Sequence, residues 1–243
     1  MAAIQTINLT KDFKSRRAVD ALSLSVDEGE VFALLGANGA GKTTVIKMLC
    51  CLLMPTSGDA LILGNSILTE PGAVKRTINL SPQETAVALK LSVAENLELM
   101  ARLYGETKTE ARLSAKLMMA ALHLSDRAND RSKSLSGGMQ RRLSVAMALI
   151  SRPRVVFLDE PTLGLDVGTR RALWRALNDI KGDTTIILTT HYLEEAQAHA
   201  DRIGIMRDGR LVALGTAAEL QLTAGVDTLE DAFLALTGTG DER

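Results

Sequence analysis

The sequence predicts an α/β fold with a parallel-sheet core, an antiparallel N-terminal β-subdomain and an all-helical insert. Three observations predict it. Val155-Val156-Phe157-Leu158 is a continuous apolar run and Thr185-Ile186-Ile187-Leu188-Thr189-Thr190 reads as the next buried strand, the pattern of strands buried on both faces in a parallel sheet. Val31-Phe32-Ala33-Leu34-Leu35 is a third such run, and it passes through a glycine-rich loop into helical spacing at Val45, Ile46, Leu49 and Leu52. From Ser92 to about Ile150 the periodicity is helical and no strand signal appears.

The whole chain bounds the problem. Its 243 residues suffice for one large core or two modest ones, and 46% are hydrophobic, ordinary for a globular protein. A net charge of −1 and 3% aromatic residues give no field or stacking platform for nucleic acid. No apolar run approaches the ~20 residues that span a bilayer. Met1-Ala2-Ala3-Ile4-Gln5 lacks the basic and apolar segments of a signal peptide. Cys50 and Cys51 are adjacent. Helical neighbours point about 100° apart, a poor disulfide, so two buried thiols in a reducing cytoplasm are expected.

In order, residues 4–9 and 22–26 read as strands around the polar turn Lys14-Ser15-Arg16-Arg17, because Ile4, Leu9, Leu22, Leu24 and Val26 show part of a period-two pattern. Phe13 stands beside that turn, either as core or as a face for adenine to stack on. Asp27-Glu28-Gly29-Glu30 is a turn into the first buried strand. Pro55-Thr56-Ser57-Gly58 breaks the helix after the glycine loop. Leu61-Ile62-Leu63 and Ile78-Asn79-Leu80 are short strands, the second running into Gln83.

Ser92-Val93-Ala94-Glu95 is a capping box whose helix stops at Tyr104-Gly105. A second helix runs from about Thr109 to Leu124, with Ala111, Ala115, Met118 and Leu122 on its apolar stripe. Ser136 is a good N-cap for a third, striped by Leu143, Ala146, Met147 and Ile150. Gly137 and Gly138 at its start allow close approach by a backbone or a phosphate. Asp208-Gly209 between Ile203–Met206 and Leu211–Ala213 is a hairpin signal. Short helices follow near 217–222 and 228–236. The chain is expected to be one domain over 1–243. Residues 1–84 and 152–236 form the β-subdomain and core, 85–151 the helical insert, and 237–243 a frayed tail.

The chemistry lies at the strand ends. Gly36-Ala37-Asn38-Gly39-Ala40-Gly41-Lys42-Thr43 fits G-x-x-x-x-G-K-[ST]. Glycines let successive N–H groups curl into an anion-binding nest, and the helix start adds its positive dipole end. Lys42 supplies a charge for β- and γ-phosphates, and the Thr43 hydroxyl can ligate Mg²⁺. Asp159 and Glu160 end an apolar strand. Alternating strand residues face opposite sides, so the two carboxylates must differ in role, one at Mg²⁺ and one at the attacking water. His191, after the next strand, is placed for a γ-phosphate contact.

In this order the motifs resemble the nucleotide-binding subunit of ABC transporters over nearly the whole chain. Gly36–Thr43 is similar to the Walker A loop, with Thr44 beside it, and Val155–Glu160 to Walker B. Leu135-Ser136-Gly137-Gly138-Met139 resembles the family's LSGGQ signature. Gln83, Asp166, His191 and Phe13 stand where the Q-loop glutamine, D-loop aspartate, switch histidine and adenine-stacking aromatic would be. The resemblance implies a P-loop NTPase (RecA-like) core. Gly36, Asn38, Gly39, Ala40, Gly41, Lys42, Thr43 and Thr44 would bind ATP with Phe13, Ser136, Gly137, Gly138 and Asp166. Thr43, Gln83 and Asp159 would hold Mg²⁺, and Glu160, with His191 and Gln83, would hydrolyse ATP.

The LSGGM variant, Thr190–Ala196 and Thr228–Phe233 are most similar to bacterial ABC-2 export ATPases. That implies a separate integral membrane permease, attachment to the cytoplasmic face of the cell membrane, and a head-to-tail ATP sandwich with a second copy or homologue. Three residues depart from the family pattern: Ala37 where proline is common, Met139 for glutamine, and Leu163 in the D-loop. The alternatives are a soluble ABC ATPase acting on ribosomes or DNA, and an import ATPase. The former usually has two cassettes or a long coiled-coil insert; this sequence has one Walker A loop, no heptad run and no basic stripe.

Overall fold

The computed structural model describes residues 1–238. In chain order the strands are β1 (Ala2–Phe13), β2 (Arg16–Leu22), β3 (Ser25–Asp27), β4 (Val31–Gly36), β5 (Ser57–Ile62), β6 (Asn65–Ser66), β7 (Ile78–Ser81), β8 (Val155–Asp159), β9 (Thr185–Thr189), β10 (Arg202–Arg207) and β11 (Arg210–Gly215). The helices are α1 (Lys42–Leu49), α2 (Pro71–Thr77), α3 (Val93–Leu103), α4 (Lys108–Ala121), α5 (Gly137–Leu149), α6 (Val167–Asn178), α7 (Leu193–His199), α8 (Ala217–Ala224) and α9 (Leu229–Thr237).

Among the described residues, six strands form the central sheet in the order β11-β10-β4-β9-β8-β7. It is parallel except at the β10–β11 hairpin. A second, antiparallel sheet has the order β2-β1-β5-β6, with β3 also on β1. The period of two sorts the central strands between two cores. Val31, Ala33, Leu35, Val156, Leu158, Ile186 and Leu188 pack with α3, α4, α5 and α6. Phe32, Leu34, Val155, Phe157 and Ile187 pack with α1 and the antiparallel sheet. Two apolar faces explain why these runs show no alternation in the sequence.

Several boundaries differ from expectation for local reasons. The first strand reaches Phe13 and the second begins at Arg16, so the turn is only Lys14-Ser15. The expected strand over 22–26 is interrupted at Ser23-Leu24. Helix α1 stops at Leu49, because Cys51 is left-handed (φ 53°); Leu52 lies beyond it and is exposed. Both cysteines are free, Cys50 buried and Cys51 half-buried. The strand at Leu61 begins at Ser57 and ends before Leu63, which is left-handed (φ 50°). The capping box at Ser92 and Glu95 forms as predicted. A second one, Thr107 with Glu110, opens α4 ahead of the expected start, and His123 (φ 53°) follows its end. Thr237 is the buried last residue of α9 rather than tail. The rest of the expected frayed tail, from residue 239 on, lies outside the described residues.

Candidate functional site

The glycine loop joins β4 to α1 and takes its shape from two left-handed glycines, Gly39 (φ 83°) and Gly41 (φ 107°). A Cβ on Gly41 would stand 2.4 Å from the Ala18 carbonyl oxygen, a distance no side chain tolerates. Gly41 is also the N-cap of α1, so no side chain caps the helix, and its first turn has no acidic residue. The helices α3, α4 and α8 close their starts with capping boxes; α1 leaves its first amides to an external acceptor. Lys42 is 7% exposed. Its Nζ donates to Gly36 O at 2.6 Å and Ala37 O at 3.2 Å. Burial lowers its pKa, and Glu160 and Asp159 oppose that.

A cavity of about 420 Å³ opens over this loop. Asn38, Gly39, Gly41, Lys42, Thr43 and Thr44 form its floor. Phe13, Arg16 and Ala18 of the β1–β2 hairpin form one wall, and Gln83 and Glu160 close the far side. Phe13 is 50% exposed, with its ring 5.5 Å from the Lys11 ammonium. Arg16 pairs with Phe13 across the hairpin and donates to Gly39 O at 2.5 Å. Gly36 and Ala40 stand behind the loop rather than on the cavity wall. A Cβ on Gly36 would meet Met206 O at 2.6 Å, so only glycine lets β10 approach here.

Asp159 ends β8 at 2% exposure, and its Oδ1 accepts from Thr189 Oγ1 at 2.5 Å. Glu160 follows with φ 56°. Its N–H donates to Thr189 Oγ1 at 3.0 Å and Thr189 O at 3.2 Å. The expectation that strand alternation separates the two carboxylates is therefore corrected: Glu160 is outside the strand, and a left-handed turn held by Thr189 re-aims it. His191 Nδ1 lies 2.6 Å from Glu160 Oε2. His191 precedes the helix, which begins at Leu193 after Tyr192 as N-cap.

The structure does not bring every expected residue to this cavity. Ser136 is exposed and caps α5, accepting from Met139 N at 3.3 Å. Gly138 backs onto Gly164 and Leu165. Asp166 caps α6, accepting from Thr169 N at 3.0 Å and Thr169 Oγ1 at 2.7 Å; these bonds hold its pKa below the usual aspartate value. Ser136, Gly137, Gly138 and Asp166 thus form a second surface apart from the cavity wall of their own chain.

Two cations escaped the sequence reading as site residues. Arg16 read as turn. Arg141 is 4% exposed in α5; it donates to the backbone oxygens of Pro82, Gln83 and Asp159, with Gln83 O at 3.2 Å. It ties α5 to the Gln83 segment and to the end of β8. A signal existed: Arg141 shares an apolar helical face with Val145, Ala148 and Leu149, where a lone cation needs buried acceptors.

A family model described as ABC transporter matches residues 19–163. The daunorubicin/doxorubicin resistance ATP-binding protein DrrA of Streptomyces peucetius is 43% identical over 230 residues, 93% of this chain and 69% of that protein. A solved ATP-binding subunit of an ABC transporter superposes with a TM-score of 0.90 at 28% identity, covering 97% of this chain and 99% of the other. A dimeric ATP-binding cassette in a post-hydrolysis state with ADP and Pi gives a TM-score of 0.83 at 26% identity over 88% of this chain and 98% of that one.

Proposed function

The chain belongs to the ABC transporter family, and from that premise we propose that it hydrolyses ATP to drive export through a separate membrane-spanning subunit. One observation carries the reading: Lys42, Thr43, Gln83 and Glu160 line one cavity, with His191 held on Glu160. The uncapped start of α1 and the glycine nest suit a phosphate chain, with the Lys42 ammonium beside it. The Phe13 face suits the base. The donor set also fits Mg²⁺, which takes one or two protein oxygens together with phosphate oxygens and water; the Thr43 hydroxyl and Gln83 line the cavity and would supply the protein part, and Asp159, off the cavity wall, would act through water. Mg²⁺, when bound, neutralises charge developing between the β- and γ-phosphates.

In this reading Glu160 accepts the proton of the attacking water, and its left-handed backbone aims the carboxylate into the cavity. His191 orients that carboxylate. Among the described residues no helix is long and apolar enough to cross a membrane, so a permease subunit is proposed to carry the cargo and hold the chain at the cytoplasmic face. The similarity to a drug-resistance ATP-binding protein favours export over import. Glu160→Gln is expected to bind ATP and lose about 10²–10⁴-fold in turnover, measured by nucleotide titration and phosphate release. Asp159→Asn is expected to weaken Mg-ATP binding itself; an Asp159→Asn protein that binds normally and loses only turnover would reverse the two roles.

A further inference from the structure

Beyond the cavity, a closed ring of contacts runs through α6, α7 and the loop after β8. His191, against Glu160, has its ring 4.1 Å from that of Tyr192, with the planes tilted 38°. The Arg170 guanidinium lies 4.8 Å over the Tyr192 ring. Arg170 Nε stands 3.1 Å from Glu195 Oε1. Glu195 Oε2 accepts from Thr162 Oγ1 at 2.7 Å. Thr162 is two residues after Glu160, so the chain itself closes the ring. Thr162 and Glu195 are both buried.

We propose that Glu195, through Thr162 and through Arg170 with Tyr192, is a positioning residue that fixes Glu160 and His191 relative to each other. The proposal rests on the hydrolysis roles given above to Glu160 and His191. Of the ring only Glu160 lines the cavity, so Glu195, Thr162, Arg170 and Tyr192 act through it and through His191 beside it. Glu195 is buried while Arg170 is part-exposed, their side chains 7% and 32% accessible, and such a pair adds little stability, so fold stability alone does not account for a carboxylate here. Burial pushes the Glu195 carboxyl up, and Thr162 and Arg170 pull it back down, as expected of a carboxylate that faces a hydroxyl donor and a cation. The ring also reaches the second surface: Arg170 N donates to Asp166 O at 2.9 Å, one turn into the helix that Asp166 caps.

Thr162→Val removes the donated bond at nearly constant volume. It is expected to lower kcat about 10- to 100-fold, the scale of a misplaced reacting group, with KM for ATP unchanged. Thr162→Ser is expected to restore it. In a His191→Ala background, read by single-turnover phosphate release, Thr162→Val is expected to cost nothing more, because both changes break the same ring. A native kcat in Thr162→Val, or a loss that repeats in full on His191→Ala, overturns the proposal; the second is the signature of general destabilisation. If Thr162→Val does not fold, Glu195→Gln is judged by the same two criteria. Native turnover in His191→Ala alone would overturn the underlying role of His191, and the ring's role with it.

Discussion

The Lys42 ammonium is folded back onto the loop that carries it, on Gly36 O and Ala37 O. Burial weakens its hold on its proton, and the carboxylates of Glu160 and Asp159 strengthen it. Such a lysine is prepaid for a phosphate chain: two backbone acceptors are exchanged for anionic oxygens, and little side-chain order remains to be lost. Lys42→Ala is expected to abolish most hydrolysis, measured as phosphate release at saturating ATP; near-native turnover would remove Lys42 from the site. Glu160 is the other residue set by local backbone. A non-glycine residue at φ 56° carries strain of about 1–3 kcal/mol, and the two bonds from its N–H to Thr189 offset it.

Between elements, Arg141 is the joint. Its guanidinium leaves α5 and reaches the backbone of the Gln83 segment and of β8, so the helical block, one cavity wall and the carboxylate strand share one side chain. Burial lowers its pKa, opposed by Asp159 and Glu160; a guanidinium stays charged regardless. Arg141→Met keeps most of the packing and leaves buried carbonyls without donors. It is expected to cost at least about 1–3 kcal/mol, read as a lower urea midpoint at unchanged m-value. A midpoint equal to that of the native protein would show that the carbonyls find water instead. Leu163, which departs from the family's D-loop pattern, is 42% exposed on the loop between Glu160 and α6.

On the scale of the whole molecule, the expected site residues fall on two surfaces. One chain provides a cavity over the glycine loop and, elsewhere, an exposed surface at Ser136, Gly137, Gly138 and the Asp166 loop. A solved relative of this fold is a dimeric cassette with ADP and Pi. We propose a head-to-tail pair, in which the second surface of each copy would close the cavity of the other. ATP that touches both faces favours the closed pair by its differential affinity for it. Ser136→Arg is expected to leave nucleotide binding to the single chain intact while it abolishes ATP-dependent dimerisation and ATPase activity. Light scattering of Glu160→Gln protein with saturating Mg-ATP checks the pairing. A monomer there, together with native hydrolysis independent of protein concentration, refutes the head-to-tail pair.

The sequence by itself determined what depends on near neighbours in the chain. The glycine loop, the Ser92 and Ser136 caps, the hairpin at Asp208-Gly209 and the buried central strands were legible because spacing and side-chain chemistry within a few residues specify them. Element ends were less so, since a single left-handed residue such as Cys51 or Glu160 stops an element without a glycine to announce it. Only the tertiary structure decided the contacts between residues far apart in sequence. Arg16 on Gly39, Arg141 on Gln83 and Asp159, and Glu195 on Thr162 join segments 18 to 58 residues apart. No local pattern encodes such a pairing. A buried charge has to find whatever acceptor the packed elements bring to it, and that partner exists only once the sheet has placed β8, β9 and α5 side by side.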